Sequence, residues 1–135
     1  MRLREARVPE TGGGLKESVC EMVHAGNLAE AINTLEVIVL ERPRDAEAHE
    51  LLGCVYHRAG RPDEAVAAFR RAVFLSPDDS SYLYNLATGL YASGDCSEAL
   101  LVVSECLKRR PEHGEARKMQ ERLNRAGFRL VPPPV

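Results

Sequence analysis

The sequence predicts an all-α fold, a solenoid of three helix–turn–helix repeats followed by a capping helix. The first observation is a recurrence at 34 residues, which aligns VHAG at 23–26 with HRAG at 57–60 and YASG at 91–94. The second is that apolar residues recur at three- and four-residue steps between these landmarks, as on one face of a helix. The third is that a proline closes each unit, at positions 43, 77 and 111. The units are therefore 12–45, 46–79 and 80–113.

Composition limits the classes of protein that this chain can represent. Its 135 residues are 44% apolar and 28% charged, which suits one domain with a core. No apolar run approaches the length of a membrane span, and the N-terminus lacks the apolar stretch of a secretory signal. The four cysteines are therefore expected to be free thiols in a reducing cytoplasm. A net charge of −2 gives no general attraction to nucleic acid.

The first helix of each unit is predicted to end at a glycine. In the middle unit Leu52, Val55, Tyr56 and Ala59 lie on one helical face, and Gly60 follows them. A glycine can adopt the left-handed conformation that terminates a helix without a Cβ clash. The other two units place a glycine at the equivalent position, so the sequence predicts the same tight turn three times.

The second helices have start and stop signals of their own. Asn27 with Glu30 and Asp95 with Glu98 have the spacing of capping boxes, so their side chains are expected to bond the first free amides. The middle unit has Arg61 at that position, followed by a proline suited to the first helical turn. The prolines of the third observation then stop each second helix.

The middle unit resembles the tetratricopeptide repeat. The residues that carry the resemblance are Leu52, Gly53, Tyr56, Ala65, Phe69, Ala72 and Pro77, with His49 in the place of the usual tryptophan. The third unit keeps most of this pattern and the first keeps its second half, so the resemblance covers 102 residues. It implies a right-handed α-solenoid in which Gly53 allows close approach of the paired helices and neighbouring repeats stack into one core.

The two ends of the chain differ from the repeats. Residues 114–126 form a predicted capping helix that is apolar only at Ala116, Met119, Leu123 and Ala126. Residues 1–11 are expected to be a flexible leader, and residues 127–135 an extended tail rich in proline. Net charge runs from −3 in the first unit to +3 in 114–135, a gradient that could steer association.

The resemblance further implies that the first helices line a concave groove that holds a peptide or helix of a partner protein. The groove positions, transferred repeat by repeat, are Lys16, Cys20, Val23, His24, Glu47, Glu50, Cys54, His57, Arg58, Ser81, Tyr84, Thr88 and Tyr91. The alternative is that these residues are simply solvated helix faces. Exposed tyrosines favour a binding role, because aromatic side chains anchor partners. The mixture of glutamates and arginine suits a basic or apolar peptide.

Co-chaperones of this family hold an acidic chaperone C-terminus with a two-carboxylate clamp of Lys, Asn and Arg. Lys16 matches that clamp, but Cys20 and Leu51 replace its two asparagines. Ser81 and Asn85 replace the remaining lysine and arginine. One match in five positions is too few to hold two carboxylates, so the sequence argues against this ligand.

No enzyme motif is present, so no catalytic residue and no cofactor are predicted. Cys20 and His24 are four residues apart and Cys54 and His57 three apart, a spacing that raises a Cys2His2 zinc site as an alternative. Packed helices lie about 8–10 Å apart, whereas zinc ligands converge within about 2.0–2.3 Å of the ion, so no metal is predicted. Cys106 is expected in the core and Cys96 as an exposed thiol.

These observations favour a non-enzymatic, cytoplasmic protein–protein interaction module: an adaptor, a scaffold or a small chaperone. The alternative is a regulatory or targeting subunit that acts through self-association, with the proline-rich tail of residues 127–135 in its own or a neighbour's groove. The expected partner is another protein, with no nucleic acid and no membrane insertion.

Overall fold

The computed structural model describes residues 13–130, which fold into helices joined by short turns. The helices are α1 Gly13–His24, α2 Leu28–Glu41, α3 Ala46–Arg58, α4 Pro62–Leu75, α5 Ser80–Ala92, α6 Cys96–Arg109 and α7 Gly114–Arg125. The described part of the chain contains no strand. The all-α repeat fold is therefore confirmed, with α1–α2, α3–α4 and α5–α6 as the three hairpins.

The turn inside each hairpin is a Schellman motif closed by glycine. Gly26, Gly60 and Gly94 have φ values of 82°, 74° and 88°, as the sequence predicts. In the middle hairpin the amide of Arg61 donates to the Tyr56 carbonyl at 2.9 Å, and that of Gly60 donates to the His57 carbonyl at 3.1 Å. These bonds satisfy the last carbonyls of the first helix and reverse the chain within three residues.

The predicted capping boxes are wrong. Neither Asn27 nor Asp95 makes a side-chain bond to its helix. The backbone explains this, because Asn27 has φ −90° and ψ 59°, outside the extended region that an N-cap side chain needs. The Schellman turn imposes this conformation. Side-chain caps occur instead on the first helices, where Asp45 accepts the Ala48 amide at 3.1 Å and Asp79 accepts the Ser81 amide at 2.9 Å.

The core is continuous from α1 to α7 and depends on small residues at the helix contacts. A Cβ atom on Gly53 would lie 2.5 Å from Cε1 of Phe69, so α3 and α4 approach each other through this glycine. On the other side of the same ring, a Cβ on Gly89 would lie 3.2 Å from Cδ2. Phe69 thus fills the space between two hairpins, and 3% of its surface is exposed.

Each second helix ends two residues before its proline, as the sequence predicts. Further contacts involve His49 and two of the cysteines. His49 is buried at the usual tryptophan position, where its Nε2 lies 3.0 Å from the Pro43 carbonyl oxygen. Cys106 is buried and its thiol donates to the Ser80 carbonyl at 3.3 Å. Cys96 is half-buried against the core and not the exposed thiol that the sequence predicts.

Helix α7 covers the third hairpin with Ala116, Met119 and Leu123, which are buried. Ala126 follows the helix and is exposed, so it adds nothing to this apolar face. The chain leaves α7 at Gly127, whose φ is 99°, and Phe128 packs half-buried against the core. The predicted leader and residues 131–135 of the predicted tail lie outside the described residues.

The helices form two layers, and the first helices lie closer to one another than the second helices do. Helix α3 contacts both α1 and α5, whereas the second helices α2, α4 and α6 make no comparable contacts with one another. A layer whose members approach more closely lies on the inside of a curved stack. The first helices therefore form the inner face. None of the helices within residues 13–130 has both the length and the apolar character that crossing a bilayer requires.

Candidate functional site

The candidate site is the inner face, and we define it as the groove face. All thirteen predicted positions lie within the described residues, on α1, α3 and α5. Eight of these side chains are exposed: Lys16, Cys20, His24, Cys54, His57, Arg58, Ser81 and Tyr91. Tyr91 is exposed over 37% of its surface. Val23, by contrast, packs half-buried against the core, so it contributes to stability as well as to the surface.

A hydrogen bond joins the second and third hairpins at the centre of the groove face. The Asn85 amide on α5 donates to Oε2 of Glu50 on α3 at 2.9 Å. Burial raises the pKa of the half-buried Glu50 carboxyl, and the carboxylates of Asp79 and Glu47 raise it further. Lys16 from α1 opposes this effect without forming an ion pair with Glu50. The carboxylate at the centre of the groove face therefore lacks full compensation of its charge.

Cys54 lies one turn further along α3. Its side chain is exposed to solvent, yet the surrounding walls desolvate it and raise the pKa of its thiol to about 11. The charge of Glu50 adds to this shift. A thiol with such a pKa is protonated at neutral pH, so Cys54 is a poor nucleophile and a poor metal ligand.

Carboxylates gather where α3 and α5 begin. Asp45 and Asp79 cap these helices, and Glu47 follows in the first turn of α3. Tyr82, half-buried on α5, lies among them; burial and the charges of Glu50 and Asp79 raise the pKa of Tyr82 to about 12. We call Asp45, Glu47, Glu50 and Asp79 the acidic edge. Of these five residues, only Glu47 and Glu50 are among the predicted groove positions.

The two predicted tyrosine anchors, Tyr84 and Tyr91, both contact α7 or the residue that caps it. The rings of Tyr84 and His113 have centroids 4.8 Å apart, and the guanidinium of Arg122 lies 5.9 Å from the Tyr91 centroid. Tyr84 is half-buried and also packs against the core. Tyr84 is therefore partly a structural residue, and Tyr91 is the more accessible of the two.

Helix α7 extends the groove face, which the sequence analysis missed. Lys118, Arg122 and Arg125 lie 34 residues after Tyr84, Thr88 and Tyr91, so the repeat spacing itself could have identified them. With Glu121 they line a shallow surface depression. Lys118 pairs with Glu115 at 3.3 Å, whereas neither Arg122 nor Arg125 takes part in the ion pairs found among residues 13–130. We call these three cations the basic end.

The structure does not assemble a metal centre from the cysteines and histidines of α1 and α3. Among residues 13–130, no group of three or more His, Cys, Asp or Glu side chains is positioned to hold an ion. The four cysteines are free thiols. What the groove face offers is a row of hydrogen-bonding, aromatic and charged side chains on adjacent helices, which suits non-covalent binding.

Comparison with known proteins relates the chain to one family. A family model described as "Tetratricopeptide repeat" matches residues 23–80. The Arabidopsis thaliana protein "TPR repeat-containing thioredoxin TTL4" is 42% identical over 64 residues, which are 47% of this chain and 9% of that protein. The human "DnaJ homolog subfamily C member 3" is 29% identical over 99 residues, which are 73% of this chain and 20% of that protein. The chain thus spans a small part of the curated relatives that it matches.

Solved structures share the fold. The first TPR domain of Spaghetti (RPAP3) bound to an HSP90 peptide superimposes with a TM-score of 0.77 at 20% identity, covering 83% of this chain and 89% of that one. An O-GlcNAc transferase mutant from Thermobaculum terrenum superimposes with a TM-score of 0.72 at 27% identity, covering 91% of this chain and 23% of that one. These two superpositions place the described helices in the same repeat architecture.

Proposed function

We propose that the chain is a tetratricopeptide repeat protein and acts as a non-enzymatic protein–protein interaction module that binds a peptide or helix of a partner on the groove face. The arrangement of the first helices is the observation that carries this proposal, because α3 contacts both α1 and α5 and the three helices form the inner face of the stack. The inner face of a curved stack is a hollow, and hollows bury ligand surface efficiently. The module acts as an adaptor, a scaffold or a small chaperone in the cytoplasm, where its free thiols stay reduced.

Side chains that line the hollow suit peptide recognition. Exposed Tyr91 offers an aromatic surface, and Ser81 and Asn85 offer hydrogen-bonding groups along α5. The half-buried Thr88 donates its hydroxyl to the Tyr84 carbonyl at 3.0 Å, so this hydrogen is not available to a ligand. The groove face therefore combines apolar contact with polar groups that select orientation.

The ligands of related structures are not transferred unchanged. TPR domains of RPAP3 and of yeast Sti1 are solved with HSP90 and HSP70 peptides. In this chain Leu51 is apolar and 7% exposed, and the Asn85 amide is bonded to the carboxylate of Glu50, whose negative charge repels a terminal carboxylate. We propose a partner other than such an acidic chaperone terminus.

A pair of matched tryptophan variants tests the groove face as the binding surface. Cys54→Trp fills the hollow, whereas Asn33→Trp adds the same ring on the exposed side of α2. We expect affinity capture from native lysate to lose its specific partners with the first variant and to keep them with the second. Circular dichroism spectra of both variants should match the original chain. Equal capture by both folded variants would show that binding occurs elsewhere.

A further inference from the structure

The acidic edge and the basic end occupy opposite sides of the same groove face. The carboxylates belong to α3 and to the start of α5, the cations belong to α7, and the neutral side chains Tyr84, Thr88 and Tyr91 lie between them. Neither Glu47 nor Glu50 takes part in the ion pairs found within residues 13–130, and the same holds for Arg122 and Arg125. The free protein therefore holds separated, unpaired charges of opposite sign in one hollow.

Helix dipoles explain only part of this arrangement. Carboxylates favour helix starts and cations favour helix ends, which accounts for Asp45, Asp79 and Arg125. Glu50 differs, because it lies in the second turn of α3 and is half-buried among like charges. Its charge is a cost to the free protein that a ligand cation would relieve. Lys16 lies near Glu50 but too far for an ion pair, so it leaves that position open.

The basic end has cations available to a ligand, as the acidic edge has carboxylates. The Arg122 guanidinium lies over the Tyr91 ring of the groove face, and it takes part in none of the ion pairs formed within residues 13–130. A guanidinium fixed by an aromatic face is prepared for a bidentate bond to a carboxylate. Glu121 lines the depression with the three cations and Glu115 pairs with Lys118, so three cations against two carboxylates leave the end with a net positive charge.

We infer that the groove face binds a peptide segment of divided charge, with Lys or Arg against the acidic edge and Asp or Glu against the basic end. This inference rests on the proposed function and adds the chemistry and orientation of the ligand. Directly packed helices lie about 8–10 Å apart, and two such steps along the first helices separate α3 from α7 by at least about 16–20 Å. An extended chain advances about 3.3 Å per residue, and five to six residues therefore span the two charged regions.

A series of four labelled octapeptides tests the inference by fluorescence anisotropy. The divided-charge peptide has two lysines at one end, two glutamates at the other and a neutral centre that contains one tyrosine. Glutamine replaces the lysines in the second peptide, the glutamates in the third and all four charges in the fourth. We expect the divided-charge peptide to bind about three- to tenfold more tightly than either singly charged one, because exposed ion pairs contribute modestly.

Two double variants assign each end of the peptide. Glu47→Gln with Glu50→Gln should weaken only the peptides that carry lysine, and Arg122→Gln with Arg125→Gln should weaken only those that carry glutamate. Glu30→Gln with Glu41→Gln makes the same charge change on exposed positions of α2 and should alter no affinity. The inference is wrong if either groove variant weakens the lysine-only and the glutamate-only peptides equally. It is also wrong if the divided-charge and neutral peptides bind with equal affinity.

The same series separates this inference from the proposed function. Suppose that the neutral peptide binds as well as the divided-charge one and that Cys54→Trp abolishes both. The groove face is then a peptide site without the inferred charge selectivity. If Cys54→Trp leaves the affinity of every bound peptide unchanged, the groove assignment itself is wrong.

Discussion

Gly53 is the position at which the smallest change should have a clear effect on stability. A Cβ atom there would lie 2.5 Å from Cε1, 2.6 Å from Cδ1 and 3.0 Å from Cγ of Phe69. Carbon atoms pack best at about 3.5–4.0 Å, so the overlap is about 1 Å. The ring cannot swing away freely, because it is 3% exposed and its opposite edge lies against Gly89. Gly53→Ala must therefore separate α3 from α4 or distort Phe69.

The expected cost follows from two opposing effects. Overpacking a core by a methylene costs about 1–3 kcal/mol. Replacing glycine by alanine inside a helix gains up to about 1 kcal/mol. Gly14→Ala is the matched control, since a Cβ atom at that position of α1 has no other heavy atom within 4 Å. The difference between the two variants isolates the overlap, and we expect Gly53→Ala to be less stable than Gly14→Ala by about 1–3 kcal/mol.

Thermal and urea unfolding followed by circular dichroism at 222 nm measure this difference. For a chain of this size, 1 kcal/mol corresponds to about 4 °C in Tm. Phe69→Leu should reduce the penalty of Gly53→Ala in the double variant, because it removes the ring that the new methyl group meets. The packing argument fails if Gly53→Ala raises Tm as much as Gly14→Ala does, or if the two substitutions at 53 and 69 are additive.

Three further outcomes are expected from the site and its boundary. The Nδ1 atom of His113 accepts the Ala116 amide at 3.1 Å, so His113→Ala should destabilise the chain by about 1 kcal/mol in urea unfolding, whereas His113→Asp should retain the cap. The folded state raises the pKa of Glu50, so the protonated carboxyl favours folding at low pH and this contribution is lost as pH rises. The stability of Glu50→Gln relative to the original chain should therefore increase from pH 4 to pH 7. With the other three cysteines replaced by alanine, Cys54 should react with iodoacetamide at pH 8 about tenfold more slowly in the folded chain than in urea, because its pKa of about 11 outweighs the greater reactivity of its thiolate. The cap assignment is wrong if His113→Asp destabilises the chain as much as His113→Ala does. The Glu50 interpretation is wrong if Glu50→Gln gains the same stability at pH 4 and at pH 7. The Cys54 interpretation is wrong if the thiol reacts equally fast in the folded chain and in urea.

The hairpins were predictable because their determinants are local. A glycine at a fixed offset permits a left-handed turn, and a proline two residues beyond each second helix prevents its continuation. The caps were not predictable by the same means. Asn27 has the spacing of a capping box, but the turn before it removes the extended conformation that a cap requires. His113 was overlooked because histidine is an uncommon cap and its ring contact with Tyr84 is long-range.

The site was partly predictable, because the repeat spacing indicates the helix on which a residue lies but not the side chains that it contacts. Each predicted groove residue lies on a first helix, as the spacing requires. The spacing does not show that Asn85 binds Glu50 or that the hollow desolvates Cys54, because both depend on how closely neighbouring hairpins approach. Conversely, the basic end follows the same spacing, but the apolar positions of the last helix predict only that it covers the core.

Helix α7 in fact has two roles on two faces. Met119 and Leu123 cover the third hairpin, while Lys118 and Arg122 extend the groove face from the same turns of helix. Deleting α7 would expose buried residues of α6 and remove the cations at once, so truncation cannot separate stability from binding. Single substitutions can, because an exposed arginine contributes little to folding while its charge remains available to a ligand. The helix that closes the core thus also determines which charge the groove presents at its end.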